Sequence, residues 1–169
     1  WGMDAQWSDD FHHALLDRLT GERRGWHADL GRAADLAKAW RSAFVLDGGF
    51  SRHRDRRHGR PVPLGTRSDR FLAYAQTHDQ VGNRARGERL CHLVPEPAAE
   101  LAAALVLLSP FVPMLFQGEE WAASTPFRYV ADHADPALAE AVRTGRRREF
   151  AAFVDDPADV PDPCDPATL

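Results

Sequence analysis

Three polar clusters directly follow apolar or aromatic segments: Trp7-Ser8-Asp9-Asp10-Phe11-His12-His13, Thr77-His78-Asp79-Gln80 and Gly118-Glu119-Glu120-Trp121. Carboxylates beside imidazoles and indoles suit sugar chemistry. A carboxyl group can serve as acid, base or nucleophile at a glycosidic bond, and an aromatic ring can stack on the apolar face of a pyranose. Each cluster also has a purely structural reading. Capping accounts for one of Asp9 and Asp10, a strand-end aspartate such as Asp79 often caps the next turn, and Glu119 to Trp121 can be a solvated loop with an aromatic plug. Their common placement after apolar segments carries more weight than any one of them.

Other chemistries find less support. Arg52, Arg54, Arg56, Arg57 and Arg60 could grip phosphate, but they sit in a glycine- and proline-rich stretch without interleaved aromatics, as expected of a solvated loop. His12-His13 and Asp132-His133 resemble pieces of a metal site. Adjacent residues point apart and no HExxH spacing is present, so no metal or other cofactor is expected. No GxGxxG, Walker or GxSxG pattern occurs.

The elements that must position these clusters read as an α/β pattern. Ser8 or Asp9 caps a helix starting near Phe11, and Thr20-Gly21-Glu22 closes it. A second helix spans residues 33–44, with Ala33, Leu36, Ala37, Trp40 and Phe44 on one face. Asp47-Gly48-Gly49 ends that pattern, and the basic loop and a Pro/Gly-rich segment follow. Residues 71–76 read as a buried strand that exits into His78-Asp79-Gln80 and a Gly82-Asn83 turn. Pro97 opens an almost wholly apolar helix over 98–108, expected to be buried on most of its surface. Residues 111–117 form a second buried strand. Strand, polar loop, helix, strand, polar loop is the grammar of a parallel α/β unit. Asp135-Pro136 starts a last helix, with Arg146, Arg147 and Arg148 serving its C-terminal end. The tail from Asp155 carries five Asp and four Pro and is expected to be extended.

Composition narrows the class further. The chain has 169 residues, 44% of them hydrophobic and 27% charged, with a formal net charge of -4. That balance gives no drive toward nucleic acid or an anionic membrane, and no apolar run approaches a bilayer span. Cys91 and Cys164 form neither a disulfide framework nor a zinc signature, so a reducing, cytoplasmic setting is expected. The chain opens at Trp1 in what reads as ongoing structure, as a fragment would.

The segment FLAYAQTHDQVGN (71–83) resembles the seventh-strand motif of the α-amylase-type glycoside hydrolases, in which an Asn-His-Asp triplet closes the strand. WSDDFHHALLDRLTGE (7–22), HDQVGNRARGERL (78–90), MLFQGEEWAASTPFRYVADH (114–133), GRRREF (145–150) and VPDPCDPATL (160–169) narrow the resemblance to the malto-oligosyltrehalose trehalohydrolase family. The similarity covers nearly the whole chain apart from residues 51–70.

The resemblance implies the C-terminal portion of a (β/α)8 TIM-type barrel over residues 1–154, with 155–169 as an extended tail. It implies retaining hydrolysis of the α-1,4 bond next to the trehalose end of maltooligosyl-trehalose, releasing trehalose. Asp79 matches the carboxylate that stabilises the transition state. His78, Gln80, Val81, Gly82 and Asn83 match the substrate-contacting loop around it. Asp9, Asp10, Phe11, His12 and His13 match a second such segment, and Glu119 and Trp121 lie at the barrel mouth. Thr77 stands where the family usually has Asn. The nucleophile Asp and acid/base Glu belong to earlier strands, so the missing N-terminal part of the same barrel is the expected partner, and this chain alone should hydrolyse nothing. Two alternatives remain at this point. One is a helical His-Asp metal-dependent phosphohydrolase, which requires residues 71–80 to be helical. The other is a non-enzymatic module that binds anions through residues 52–60.

Overall fold

A computed structural model describes residues 2–151 and 153–168. Its elements in chain order are β1 (Gln6–Trp7), α1 (Asp9–Thr20), α2 (Ala33–Ser42), β2 (Phe50–Ser51), β3 (Arg56–Arg57), β4 (Phe71–Ala73), α3 (His78–Gly82), α4 (Leu90–Leu93), α5 (Glu96–Leu107), β5 (Val112–Pro113) and α6 (Pro136–Phe150). Short 3-10 turns at Gly25–Ala28, Ser68–Arg70, Glu119–Trp121, Pro157–Asp159 and Pro166–Thr168 join them. The chain divides into two compact units, one of Trp1–Gln76 with Leu93–Gln117, the other of Thr77–His92 with Gly118–Leu169.

The first unit holds a parallel sheet in the order β1-β4-β5. Gln6 pairs with Phe71 and Leu72 with Val112, and the bond from Met114 N–H to the Ala73 carbonyl (2.9 Å) extends the ladder past β5. Parallel neighbours need crossovers, and α1 and α5 lie in them. Helix α1 starts where expected, since the Ser8 hydroxyl accepts from Phe11 N–H. It stops at Gly21, whose φ of 79° lies in the left-handed region that glycine enters without penalty.

The core of this unit is an aromatic chain. Phe11, wholly buried, lies 6.2 Å from Trp40 and 6.1 Å edge-on from Phe111, which meets Phe71 at 5.9 Å. Edge-to-face contact between such rings adds about 0.5–1.5 kcal/mol per pair beyond area burial.

Three sequence expectations change in this unit. Helix α2 buries Asp35 and Ala39 and leaves Ala33 and Ala37 exposed, so its inward face is rotated from the predicted one. The cause is Asp35, which is buried because it receives the Arg32 backbone N–H (3.0 Å) and two arms of the Arg32 guanidinium. The basic stretch is an antiparallel hairpin, β2 with β3, rather than an irregular loop. Asp29 holds it by accepting from the Ser51 hydroxyl (2.5 Å) and from Arg52 N–H (2.6 Å). Helix α5 keeps its predicted place but buries only Ala102 and Val106, while Leu101 and Leu107 are each 52% exposed. Likewise β5, the outer strand of the sheet, is exposed, and Phe111 just before it is buried.

The second unit is built around α6. Asp135 caps it by accepting from Ala137 N–H, and Pro136 occupies the first turn, as the sequence predicts. The tail does not run extended. Two 3-10 turns fold it, Val160 and Thr168 are buried, and Ala131 N–H donates to the Pro163 carbonyl (2.8 Å). Arg143 ties α6 to the tail through Asp162. Gly87 has to be glycine: at a φ of 69°, a Cβ would stand 2.5 Å from the Phe127 carbonyl oxygen.

Candidate functional site

Each unit holds one set of candidate residues. In the second unit, Thr77 is extended (φ -141°, ψ 175°) and its hydroxyl accepts from Asp79 N–H at 3.2 Å. That cap starts the single turn of α3, so His78, Asp79 and Gln80 are helical and Gly82-Asn83 is the end of a helix rather than a turn. The Thr77 hydroxyl also donates to the Gln80 side-chain oxygen, so one hydroxyl serves as acceptor and donor.

Asp79 is exposed, and its Oδ1 accepts from the Asn83 amide at 2.9 Å. The Asn83 backbone N–H returns to the Asp79 carbonyl, also at 2.9 Å. Side chain and backbone thus fix Asp79 and Asn83 together. Val81 and Gly82 turn inward, His78 outward.

Arg146 supports this turn from below. Sequence reasoning assigns Arg146 to the C-terminal charge of α6, but its side chain is buried. Its Nη2 donates to the Gly82 carbonyl at 2.9 Å, and its guanidinium lies 4.5 Å from the Tyr129 ring centre and 4.8 Å from that of Phe150. Burial lowers its pKa from the ordinary arginine value. Only Arg147 and Arg148 play the expected helix-end role.

Glu119 and Trp121 occupy the 3-10 turn that follows Gly118, a left-handed residue with φ 86°. A Cβ on Gly118 would approach Ala123 at 2.8 Å, so the polar exit from this segment depends on glycine. Trp121 is 72% exposed, an indole with most of one surface open to a ligand. Glu120 turns back and accepts from Gly118 N–H at 2.9 Å.

In the first unit, the segment 9–13 forms the first turn of α1 and its residues diverge. Asp9 Oδ1 accepts from the Tyr74 hydroxyl at 2.6 Å. Asp10 Oδ2 accepts from Val45 and Leu46 N–H, both at 2.7 Å, which anchors the chain leaving α2. Phe11 belongs to the core, so its ring offers nothing to a ligand. His12 is buried, donates from Nδ1 to the Ala75 carbonyl (2.6 Å) and stacks at 5.9 Å on Tyr74. A carbonyl can only accept, so Nδ1 carries the hydrogen.

His13 packs edge-on against His12 and against His27. Burial, then the neighbouring His27, lowers its pKa to about 4, and the ring is neutral at pH 7. A cleft of about 740 Å³ opens beside this turn, lined by Trp7, Asp9, Asp10, Arg54, His58 and Phe71 among others. That volume lies within the range usual for small-ligand sites.

Tyr74, His27 and Arg146 were missed as partners of these segments. The apolar run at 71–76 marks Tyr74 as part of a buried strand but not as a donor to Asp9. The phosphohydrolase reading fails, because residues 71–73 are strand and helix begins only at His78. Among the described residues no helix is long and apolar enough to cross a membrane.

No family model matches the chain. Among curated proteins, malto-oligosyltrehalose trehalohydrolase of Arthrobacter ramosus is 51% identical over 169 residues, covering all of this chain and 29% of the relative. The Saccharolobus solfataricus protein of the same name is 46% identical over 159 residues, 94% of this chain and 28% of the relative. The Mycobacterium tuberculosis counterpart is 45% identical over 170 residues. Among solved structures, an alpha-amylase-type protein from Salmonella typhimurium superposes with a TM-score of 0.89 at 39% identity, over 97% of this chain and 28% of its own. The chain therefore spans under a third of the length of each of these proteins. Its α/β fold is that of an α-amylase-type protein, and by sequence the chain belongs to the malto-oligosyltrehalose trehalohydrolase family.

Proposed function

We propose that this chain is the C-terminal part of the catalytic (β/α)8 barrel of a trehalohydrolase, and that Asp79 is the carboxylate that stabilises the transition state. The reaction is hydrolysis of the α-1,4 bond next to the trehalose end of maltooligosyl-trehalose. One observation carries the reading: the exposed Asp79, fixed by Asn83 and capped by Thr77, follows the parallel strand β4 in the chain, in a sequence 51% identical to a named trehalohydrolase. Strand C-terminal ends are where such barrels place their catalytic groups.

Retaining hydrolysis needs two carboxyl groups about 5–5.5 Å apart across the scissile bond, one as nucleophile and one as acid/base. By family resemblance neither lies in residues 1–169. Asp79 would supply the third charge, aimed at the oxocarbenium-like centre as it becomes positive. His78, Gln80, Val81, Gly82, Asn83, Glu119 and Trp121 would belong to the glucan site around Asp79, with Trp121 offering a stacking face, and Asp9 and His13 to a second substrate-contacting segment, which Asp10 and His12 brace through the backbone. Phe11 would hold the 9–13 turn in place through the core.

The test uses the full-length protein that contains this chain. Asp79→Asn should lower the rate of trehalose release from maltooligosyl-trehalose by roughly 10²–10³-fold, as loss of one transition-state electrostatic partner does. Turnover within a few-fold of wild type would remove Asp79 from the reaction.

A further inference from the structure

Helix α1 carries His13 and Asp17 at i and i+4, on one face of the helix. The 3-10 turn at Gly25–Ala28 brings His27 against them. One donor atom from each of these residues, two imidazole nitrogens and a carboxylate oxygen, lies within 4.8 Å of the others. Asp17 is completely buried and His27 is 6% exposed. All three belong to the first unit.

We propose that His13, Asp17 and His27 form a binding site for one divalent late first-row transition ion, with zinc as the natural probe. Two nitrogens and one carboxylate oxygen suit zinc and its neighbours, whereas calcium and magnesium select all-oxygen cages. Three protein ligands leave a fourth position for water.

Several features of the site point to an ion. The His13 Nδ1 and the Asp17 Oδ2 are both buried without a hydrogen-bond partner. A buried carboxylate with an idle oxygen is costly unless a cation or donor meets it. The His27 Nδ1 faces Asp17 Oδ1 at 2.5 Å, while its Nε2 faces the Glu22 carboxylate at 3.7 Å. An acidic partner behind a ligating imidazole is the usual outer support of a metal site, since it holds the hydrogen on the far nitrogen. On binding, the His27 hydrogen would move from Nδ1 to Nε2, toward Glu22, and the ion would take the place between Nδ1 and Asp17.

The distances ask for a small adjustment. Ligand atoms around tetrahedral zinc stand roughly 3.3 Å apart, given bonds of about 2.0–2.1 Å. The 2.5 Å contact must open and the longest separation must close, both within reach of side-chain rotation. Arg23 and Arg54 place positive charge nearby, and Asp17 and Glu22 offset it. The Arg23 guanidinium is spent on backbone carbonyls of Asp17 and Gly31.

The experiment takes the full-length protein, strips it with a chelator, adds Zn2+, removes excess by gel filtration and measures retained metal by mass spectrometry. One equivalent should remain. Asp17→Asn and His27→Gln should each lower zinc affinity by roughly 100-fold or more, beyond what outer-shell losses cost, while His92→Gln retains the full equivalent. Wild-type protein loaded with Co2+ should show the visible absorption of a four-coordinate ion, a readout independent of how the variants fold. No retained zinc, zinc retained equally in both variants, or no such Co2+ spectrum would overturn the site.

Discussion

The Arg146 guanidinium donates to the Gly82 carbonyl at 2.9 Å, and so ties the C-terminal part of α6 to the end of the turn that carries Asp79. A charged donor to a buried carbonyl contributes about 1.5–3 kcal/mol, and the faces of Tyr129 and Phe150 add to it. Arg146→Ala should therefore destabilise the protein by about 2–4 kcal/mol. Arg146→Lys keeps the charge without the planar fork, and should recover only part of the loss. Urea unfolding of the three proteins checks the order wild type, Lys, Ala. Under the role proposed for Asp79, kcat of the full-length protein should also fall more than KM rises, because the support acts on the position of that carboxylate.

Thr77 gives a second, opposite kind of test. As the cap of α3 it accepts from Asp79 N–H, a role that Asn fills equally well. Thr77→Asn should change stability by no more than about 0.5 kcal/mol, whereas Thr77→Ala should cost about 1 kcal/mol. Thermal unfolding separates the two. A large loss for Thr77→Asn would mean that the hydroxyl does something an amide cannot, with the donation to Gln80 as the first suspect.

Asp10 has two backbone donors and little left for a ligand. Asp10→Ala leaves both N–H groups short of an acceptor and should cost about 2–3 kcal/mol. Under the proposed function, KM of the full-length variant for maltooligosyl-trehalose should stay within a few-fold of wild type, measured well below the melting temperature. A large rise in KM with unchanged stability would give Asp10 to the substrate instead.

Acid dependence should expose the Arg32–Asp35 pair. Burial alone would raise the Asp35 pKa, but the hydrogen bonds from the Arg32 side chain and backbone outweigh it and hold the carboxyl below its ordinary 3.8. The folded state therefore releases this proton more readily than the unfolded state does. The stabilisation is fully present above pH 3.8 and is lost as pH falls through the depressed folded value. Asp35→Asn should be less stable than wild type at pH 7, with the gap narrowing only below pH 3.8 in chemical unfolding.

Local rules reached some parts of this molecule and not others. Ser8, Gly21, Asp135, Pro136 and Pro97 mark helix ends within a residue or two, since a cap is a contact between near neighbours. The Asp79 cluster is also legible, because an apolar run ending in polar groups leaves a local trace. Its helical turn is not: His78 to Gly82 is too short for periodicity, and only the Thr77 hydroxyl decides it. The inward face of α2 is not legible in its hydrophobic pattern, because Asp35 is polar and is buried only through its bonds to Arg32. The roles of Arg146 and His27 depend on partners 64 and 10 residues away, beyond any window of local pattern.

The division of the chain into Trp1–Gln76 with Leu93–Gln117, and Thr77–His92 with Gly118–Leu169, interleaves the two units along the sequence. A ribosome makes them in that interleaved order. Gly82 leaves it 64 residues ahead of Arg146, which at about 5–20 residues per second is a wait of roughly 3–13 s. During that interval the turn bearing Asp79 has the hydrogen bonds of Thr77 and Asn83 but not the support of Arg146. It therefore becomes a supported element late in synthesis, and a stall between residues 83 and 145 would leave it without its arginine.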